Sequence, residues 1–398
     1  MAVIQLHPTA LRVGHPIPVA LRDAAGQLLM PRGTLLADET QRQQLIARGI
    51  YVDAADSEQF RKALAGKLDS MVRSNALLGQ IARAVPDAAD CGPAAPRRHA
   101  DPIAAWNAVL MRASALLHDA PQADFGARVE RIDREALSLV EADADASLLT
   151  LIHSTTQETH QYSVTHALLV SAVCELAARH LSWPADWRPS LRRAAFTMNL
   201  AMTTLQDQLA VQDSPVTPRQ REQIDSHASR GSRVMREAGV ADELWLQAVE
   251  HHHASPPGPL DELPAPLQLA RLVQRADIFA ARLSPRRMRR AMAATAAAKA
   301  AYLDERQQAD AAGAAIIKAV GIYPPGSYVR LASTEVAVVL RRGRRANEPL
   351  VASVMGRSGT PLGEPAVRDT RQKAHEIAGG VAPHEVKLRL NLQRLLQL

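Results

Sequence analysis

The 398-residue sequence predicts a mainly α protein with a small N-terminal α+β module and a C-terminal β-hairpin extension. Three observations predict this class. Apolar residues recur at spacings of three and four from Ile103 to Ala319, the period of helices with one buried face. Near the N-terminus, the runs Ile17–Leu21 and Gln27–Met30 flank Asp23-Ala24-Ala25-Gly26, the pattern of a hairpin. Beyond Gly321, Tyr328–Leu331 and Val336–Leu340 read as paired strands, and Leu350–Val354 offers a third.

Residues 1–60 make up the N-terminal module. After its hairpin, Thr34–Arg48 has a helical pattern, Gly49 is a stop signal, and Ile50-Tyr51-Val52 reads as a short strand. Residues 61–102 follow as a connecting region. It takes up most of a helix running from Ser57 to Ala84 and then a stretch, Pro86–Pro102, rich in Ala, Pro, Asp and Gly, which marks a linker. Residues 103–320 form the helical domain, punctuated by Pro184, Pro189, Pro215, Pro218 and the Pro256-Pro257-Gly258-Pro259 run. Residues 321–398 form the β-containing extension. The chain has no internal repeat.

With 47% hydrophobic and 22% charged residues, the chain has material for a core and is not of the disordered class. At 3% aromatic, that core is aliphatic, and the stacking platforms that bind single-stranded nucleic acid are not expected. The net charge of +6 is spread, and only six of 47 basic residues are lysines. Arginine is densest at Arg286, Arg287, Arg289 and Arg290 and at Arg341, Arg342, Arg344 and Arg345. Solvated arginine is the plainer reading of both groups, and a phosphate-rich ligand is the sharper one. Cys91 and Cys174 are too few and too far apart for a disulfide framework, which suits a reducing cytoplasm. Met1–Leu11 lacks the order of a signal peptide, and no run approaches the roughly 18 apolar residues of a membrane span. A cytoplasmic protein with neither membrane nor nucleic-acid partner is therefore expected. No P-loop, GxGxxG or GxSxG motif supports ATPase, dinucleotide or serine-hydrolase chemistry.

The functional signal is polar residues on apolar stripes. His166 shares a stripe with Val170, Val173 and Cys174, and His227 with Ile224, Gly231 and Val234. Asp277 follows Val273 by four residues and precedes Ala280 and Ala281. Between them stands Glu250-His251-His252-His253. One such histidine is ordinarily a hydrogen-bonded core group, whereas an unpaired carboxylate in a core costs several kcal/mol. Several histidines and one aspartate on separate helices point to convergence on Fe, Mn or Zn.

At these residues the sequence resembles the HD-GYP family, bacterial HD-superfamily phosphodiesterases that hydrolyse cyclic di-GMP. The resemblance covers about residues 155 to 300 and implies a helical HD-superfamily bundle. Tyr162-Ser163-Val164-Thr165-His166 is similar to the family's opening YTxxH helix. Thr217 to His227 is similar to its LTxxExxxIxxH segment, and the His251–His253 run stands where the family has HHE. Ala270 to Phe279 resembles its RILxVADxFDAL helix, and Gly321 to Val329 its G-x-YPPGSxV stretch. The first 60 residues are similar to a module that often precedes the domain.

Two departures bear on activity. Where the family has HDIGK, supplying a ligand histidine, a bridging aspartate and a phosphate-contacting lysine, this chain has Met198-Asn199-Leu200-Ala201-Met202. Leu191, Ala194, Met198, Met202, Leu205 and Leu209 read instead as a plain apolar stripe. The GYP loop is also missing. Aligning His252 and His253 with the family's HH keeps Gly258 in line with its glycine and is preferred; aligning His251 and His252 loses that glycine.

By resemblance, His227, His252 and His253 match the histidines of one metal, and His166 with Asp277 is what survives of the other. A three-histidine site can hold one ion. Without a shared bridge and the lysine, the two-metal clamp of phosphodiester hydrolysis is incomplete. The expectation is a catalytically inactive sensor or interaction module in cyclic di-GMP signalling, with one Fe, Mn or Zn ion or none. Its expected partners are cyclic di-GMP or a signalling protein, and a homodimer is open to it. The alternative is a phosphohydrolase with an altered, single-metal site.

Overall fold

A computed structural model of the chain describes residues 101–157 and 161–398, most of residues 3–53, and residues 57, 60 and 64. Nearly all of the expected helix from Ser57 to Ala84, the linker up to Ala100, and Cys91 lie outside the described residues. The chain divides into two compact units, Met1–Ala100 and Asp101–Leu398.

In the first unit, strands β1 (Val3–Gln5), β2 (Leu21–Arg22), β3 (Leu28–Met30) and β4 (Tyr51–Asp53) pair antiparallel in the order β1-β4-β2-β3. The β2–β3 pair is the hairpin legible in the sequence. Helix α1 (Glu39–Arg48) starts at Glu39 rather than Thr34, because Asp38 takes the N-cap and accepts from the Gln41 amide at 2.7 Å. Leu36 is thereby free to enter a small core with Ile17, Val19, Leu21, Leu45, Ile50 and Val52. Gly49 ends the helix at φ +76°, a left-handed angle that strains any residue with a Cβ.

The second unit opens with α2 (Pro102–His118), α3 (Phe125–Ala142), α4 (Ala144–Gln157), α5 (Tyr162–His180) and α6 (Trp187–Thr197). Then follow α7 (Thr203–Val211), α8 (Pro218–Asp225), α9 (His227–Glu237), α10 (Glu243–Glu250), α11 (Ala265–Leu283), α12 (Ala294–Tyr302) and α13 (Ala311–Val320). Asp101 caps α2, accepting from the Ile103 and Ala104 amides at 3.0 Å each. Helix α5 is the axis of this bundle. From Tyr162 to Ala178 every residue but Leu176 is buried, because α2, α3, α4, α6, α7, α11 and α13 all pack on it. A helix apolar on all sides belongs in a core.

Such a helix must satisfy each polar group it carries. Glu175, buried in α5, accepts from Arg192 Nη1 of α6 at 2.7 Å and from Arg179 Nε at 2.6 Å. Arg192 in turn forks onto Asp133 of α3 at 2.6 and 2.9 Å. Three helices are thus tied by one buried ion network. Elsewhere the helices close on small residues. Ala297, Ala298 and Ala301 of α12 are buried in the core, and Gly313 of α13 lies against the Ala301 carbonyl so tightly that an added Cβ would overlap it.

The C-terminal extension is larger than a hairpin. Strands β5 (Tyr328–Leu331), β6 (Val336–Arg341), β7 (Leu350–Met355), β8 (Pro361–Asp369) and β9 (Ile377–Val381) form an antiparallel sheet in the order β8-β7-β6-β5-β9. The two strands the sequence pattern missed are its edges. Pro361, Gly363 and Pro365 in β8, and Gly379 and Gly380 in β9, mask a strand pattern, yet an edge tolerates them. Leu149 of α4 joins Tyr328, Val338 and Val354 in the sheet's own core. Gly326, at φ +92°, brings the backbone before β5 against α4, where a Cβ would stand 3.1 Å from Ile152. The second arginine group is partly structural, since Arg341 pairs with Asp143 at 3.4 Å and Arg342 with Asp145. A last short helix, α14 (Leu392–Leu396), follows the sheet. Among the described residues no helix is long and apolar enough to cross a membrane.

Candidate metal centre

Two helix boundaries build the histidine cluster. Thr217 and Gln220 form a capping box and Pro218 stands at the start of α8, so the entry to this helix is set locally. The helix does not run through to Val234 as the stripe suggested. A turn at Ser226, whose backbone stays right-handed helical, separates α8 from α9, and the Ile224 carbonyl accepts from His227 Nδ1. On the other side, α10 ends at Glu250 and His251 caps it, which puts His252 and His253 in the following turn.

The three rings converge by their Nε2 atoms. His227 Nε2 lies 3.2 Å from His252 Nε2 and 3.3 Å from His253 Nε2. Among the described residues, His227, His252 and His253 are the group whose ligand atoms all come within 4.8 Å of one another. His251 stands outside it. His227 and His252 are each 1% exposed.

Their protonation follows from their partners. His227 Nδ1 donates to the Ile224 carbonyl and His252 Nδ1 to the Val249 carbonyl, the latter at 2.6 Å. The ring proton of each is thereby held on Nδ1, and a lone pair on each Nε2 faces the cluster. Burial, and then the neighbouring rings, push the His252 pKa down to about 3. Burial likewise lowers that of His227. Neutral lone pairs this close repel unless a cation stands between them. Zn–N bonds of about 2.0–2.1 Å in a tetrahedron separate the nitrogens by roughly 3.3–3.4 Å, so the observed spacing fits a metal. The backbone carbonyls behind Nδ1 are also the usual support for a ligating histidine.

His166 and Asp277 form a separate pair. Nε2 of His166 lies 2.7 Å from Asp277 Oδ1, and the buried His166 Nδ1 has no hydrogen-bond partner. Burial favours the neutral acid at Asp277, but the His166 hydrogen bond and the nearby imidazoles outweigh it and hold its pKa down at about 2. Of the five residues expected to ligate, three therefore meet at one point, and the other two form a hydrogen-bonded pair. The Tyr162 ring stacks on His166 with centroids 5.6 Å apart, and the Arg286 guanidinium sits over the Tyr162 ring at 4.8 Å, reaching the Tyr162 hydroxyl at 2.9 Å.

The segment from Met198 to Met202 carries no histidine, cysteine or carboxylate for the cluster. Helix α6 stops at Thr197, and Leu200–Met202 is a short 3-10 turn, so the continuous apolar helix expected there is broken. Met198 is fully buried in the core, while Asn199 and Met202 are half-buried. This turn packs on α9, where the Ala201 carbonyl accepts from Arg230 at 2.9 Å. Cys174 is buried, its thiol pushed up by burial, and takes no part. The arginines near residue 286 behave differently from those near 341. Arg286 and Arg289 are half-buried without a carboxylate partner among the described residues, and the Nε of each is unsatisfied.

No protein-family model matches the chain, and no curated protein matches it. Among solved structures it is similar to Bd1817, a HDG"Y"P protein from Bdellovibrio bacteriovorus, with 11% identity and a TM-score of 0.42. The match covers 80% of this chain and 99% of that one. A likeness this distant adds nothing to what the side chains themselves support.

Proposed function

We propose that the helical domain binds one divalent cation at His227, His252 and His253 and acts as a receptor for a phosphodiester ligand of the cyclic di-GMP kind, without efficient turnover. The observation that carries it is the convergence of three Nε2 atoms, two with their ring protons committed to backbone carbonyls. Bound there, Fe, Mn or Zn would supply a Lewis acid for a phosphoryl oxygen. Arg286 and Arg289, lacking carboxylate partners among the described residues, suit the ligand's negative charge, and the Tyr162 stack connects them to His166 and Asp277. Against turnover stands Met198, which is apolar and buried where a two-metal centre of the resembled family would need a ligand.

The His166–Asp277 pair favours a second reading, a slow single-metal phosphohydrolase. An ionised carboxylate hydrogen-bonded to a histidine is the arrangement that orients a general-base ring.

Elemental analysis of chelator-free protein tests both. The proposal expects about one metal per chain, lost in His227→Ala, and cyclic di-GMP binding that Arg286→Leu weakens tenfold or more. Metal-dependent phosphodiester turnover abolished by Asp277→Asn would establish the second reading. No metal in a folded protein would overturn both.

A further inference from the structure

The first turn of α5 is held from outside its own sequence. Gln161 stands at the N-cap position and makes no side-chain capping bond. The cap comes from α7. Asp207 Oδ1 accepts from the Ser163 amide and Oδ2 from the Ser163 hydroxyl, both at 2.8 Å. Helix α2 completes the arrangement. Its last residue, His118, meets Asp207 Oδ2 through Nε2 at 2.9 Å and the Ser114 carbonyl through Nδ1 at 2.9 Å. Both ring nitrogens thus face acceptors, and only the imidazolium can donate to both.

We propose that His118 and Asp207 form a pH-sensitive clamp on the start of α5, closed when His118 is protonated and loosened when it is neutral. The clamped turn carries Tyr162 and leads to His166, so the device bears on the ring stack that supports Arg286. The charged groups facing His118 among the described residues are Asp207 from α7 and Asp119 beside it, the latter 3.5 Å from Arg128 of α3. Helix α5 offers only the neutral Ser163. Burial disfavours the charged ring, but the Ser114 carbonyl and the Asp207 carboxylate outweigh it and raise the pKa above the ordinary 6.5. The sign follows. The clamp is fully present below pH 6.5 and is lost as the pH rises through the higher folded value.

The test is nitrogen NMR of the full chain, following the His118 ring and the exchange of the Ser163 amide relative to its intrinsic rate. The expected result is a doubly protonated ring at pH 6. Ser163 protection should then fall about two- to fivefold as that ring deprotonates, the range of a partly exposed ion pair. In His118→Gln, protection should be lower and flat across the same pH range. A neutral ring at pH 6, or the same protection profile in wild type and variant, overturns the clamp. Should the variant fail to fold, the wild-type ring state and the Ser163 profile decide alone, since a clamp requires both to change over one pH interval.

Discussion

Removing the guanidinium at residue 192 should cost more than any surface charge on this protein. In Arg192→Leu, Asp133 loses both its short hydrogen bonds and Glu175 loses one of three arginine partners, with Arg179 and Arg188 remaining. The Asp133 and Glu175 side chains are 6% and 1% exposed, so water does not replace what is lost. Breaking one partner out of a buried ion pair costs about 3–5 kcal/mol. At roughly 2–4 °C per kcal/mol for a unit of this size, the melting temperature should fall by about 6–20 °C, followed by circular dichroism. The double variant Arg192→Leu with Asp133→Leu should recover much of the loss, because it removes the stranded charge along with its partner. A fall of under 2 °C in the single variant would refute the view that this network holds α3, α5 and α6 together.

The same network sets an acid limit. Burial favours the neutral form of Glu175, but Arg179 and Arg192 outweigh it and hold the carboxyl below its ordinary 4.5. Its contribution is therefore present above pH 4.5 and lost as pH falls through the lower folded value. Denaturant titrations between pH 6 and 3 should show a shallower loss for Glu175→Gln than for the wild type. Gly313→Ala should destabilise the protein by about 1–3 kcal/mol or more, because its Cβ has nowhere to go but the Ala301 carbonyl; chemical denaturation measures it. Gly326→Ala should cost about 1–3 kcal/mol from its left-handed backbone and the crowding by Ile152, with the loss seen in the same assay. Chelator treatment should lower the melting temperature of wild type but leave His227→Ala unmoved, as a metal that binds only the folded state requires.

Spacing alone revealed the helical region, the first hairpin and strands β5 to β7, since these elements alternate or repeat with the period of what they bury. Histidines and an aspartate on apolar stripes were visible too, because a polar residue among Val and Ala is conspicuous wherever it folds. What the sequence could not decide was which of them meet. His227 meets His252 and His253 because α9 packs against α10, and helical periodicity contains no sign of that. His118 and Asp207 are 89 positions apart and unremarkable in sequence, yet packing α2 against α7 makes them a cap for α5. Likewise, only tertiary contacts separate Arg341 and Arg342, paired with Asp143 and Asp145, from Arg286 and Arg289, which have no carboxylate partner among the described residues. Local pattern determines which face of an element is buried; charge pairing and ligand convergence depend on distances between elements, which arise only when the chain packs.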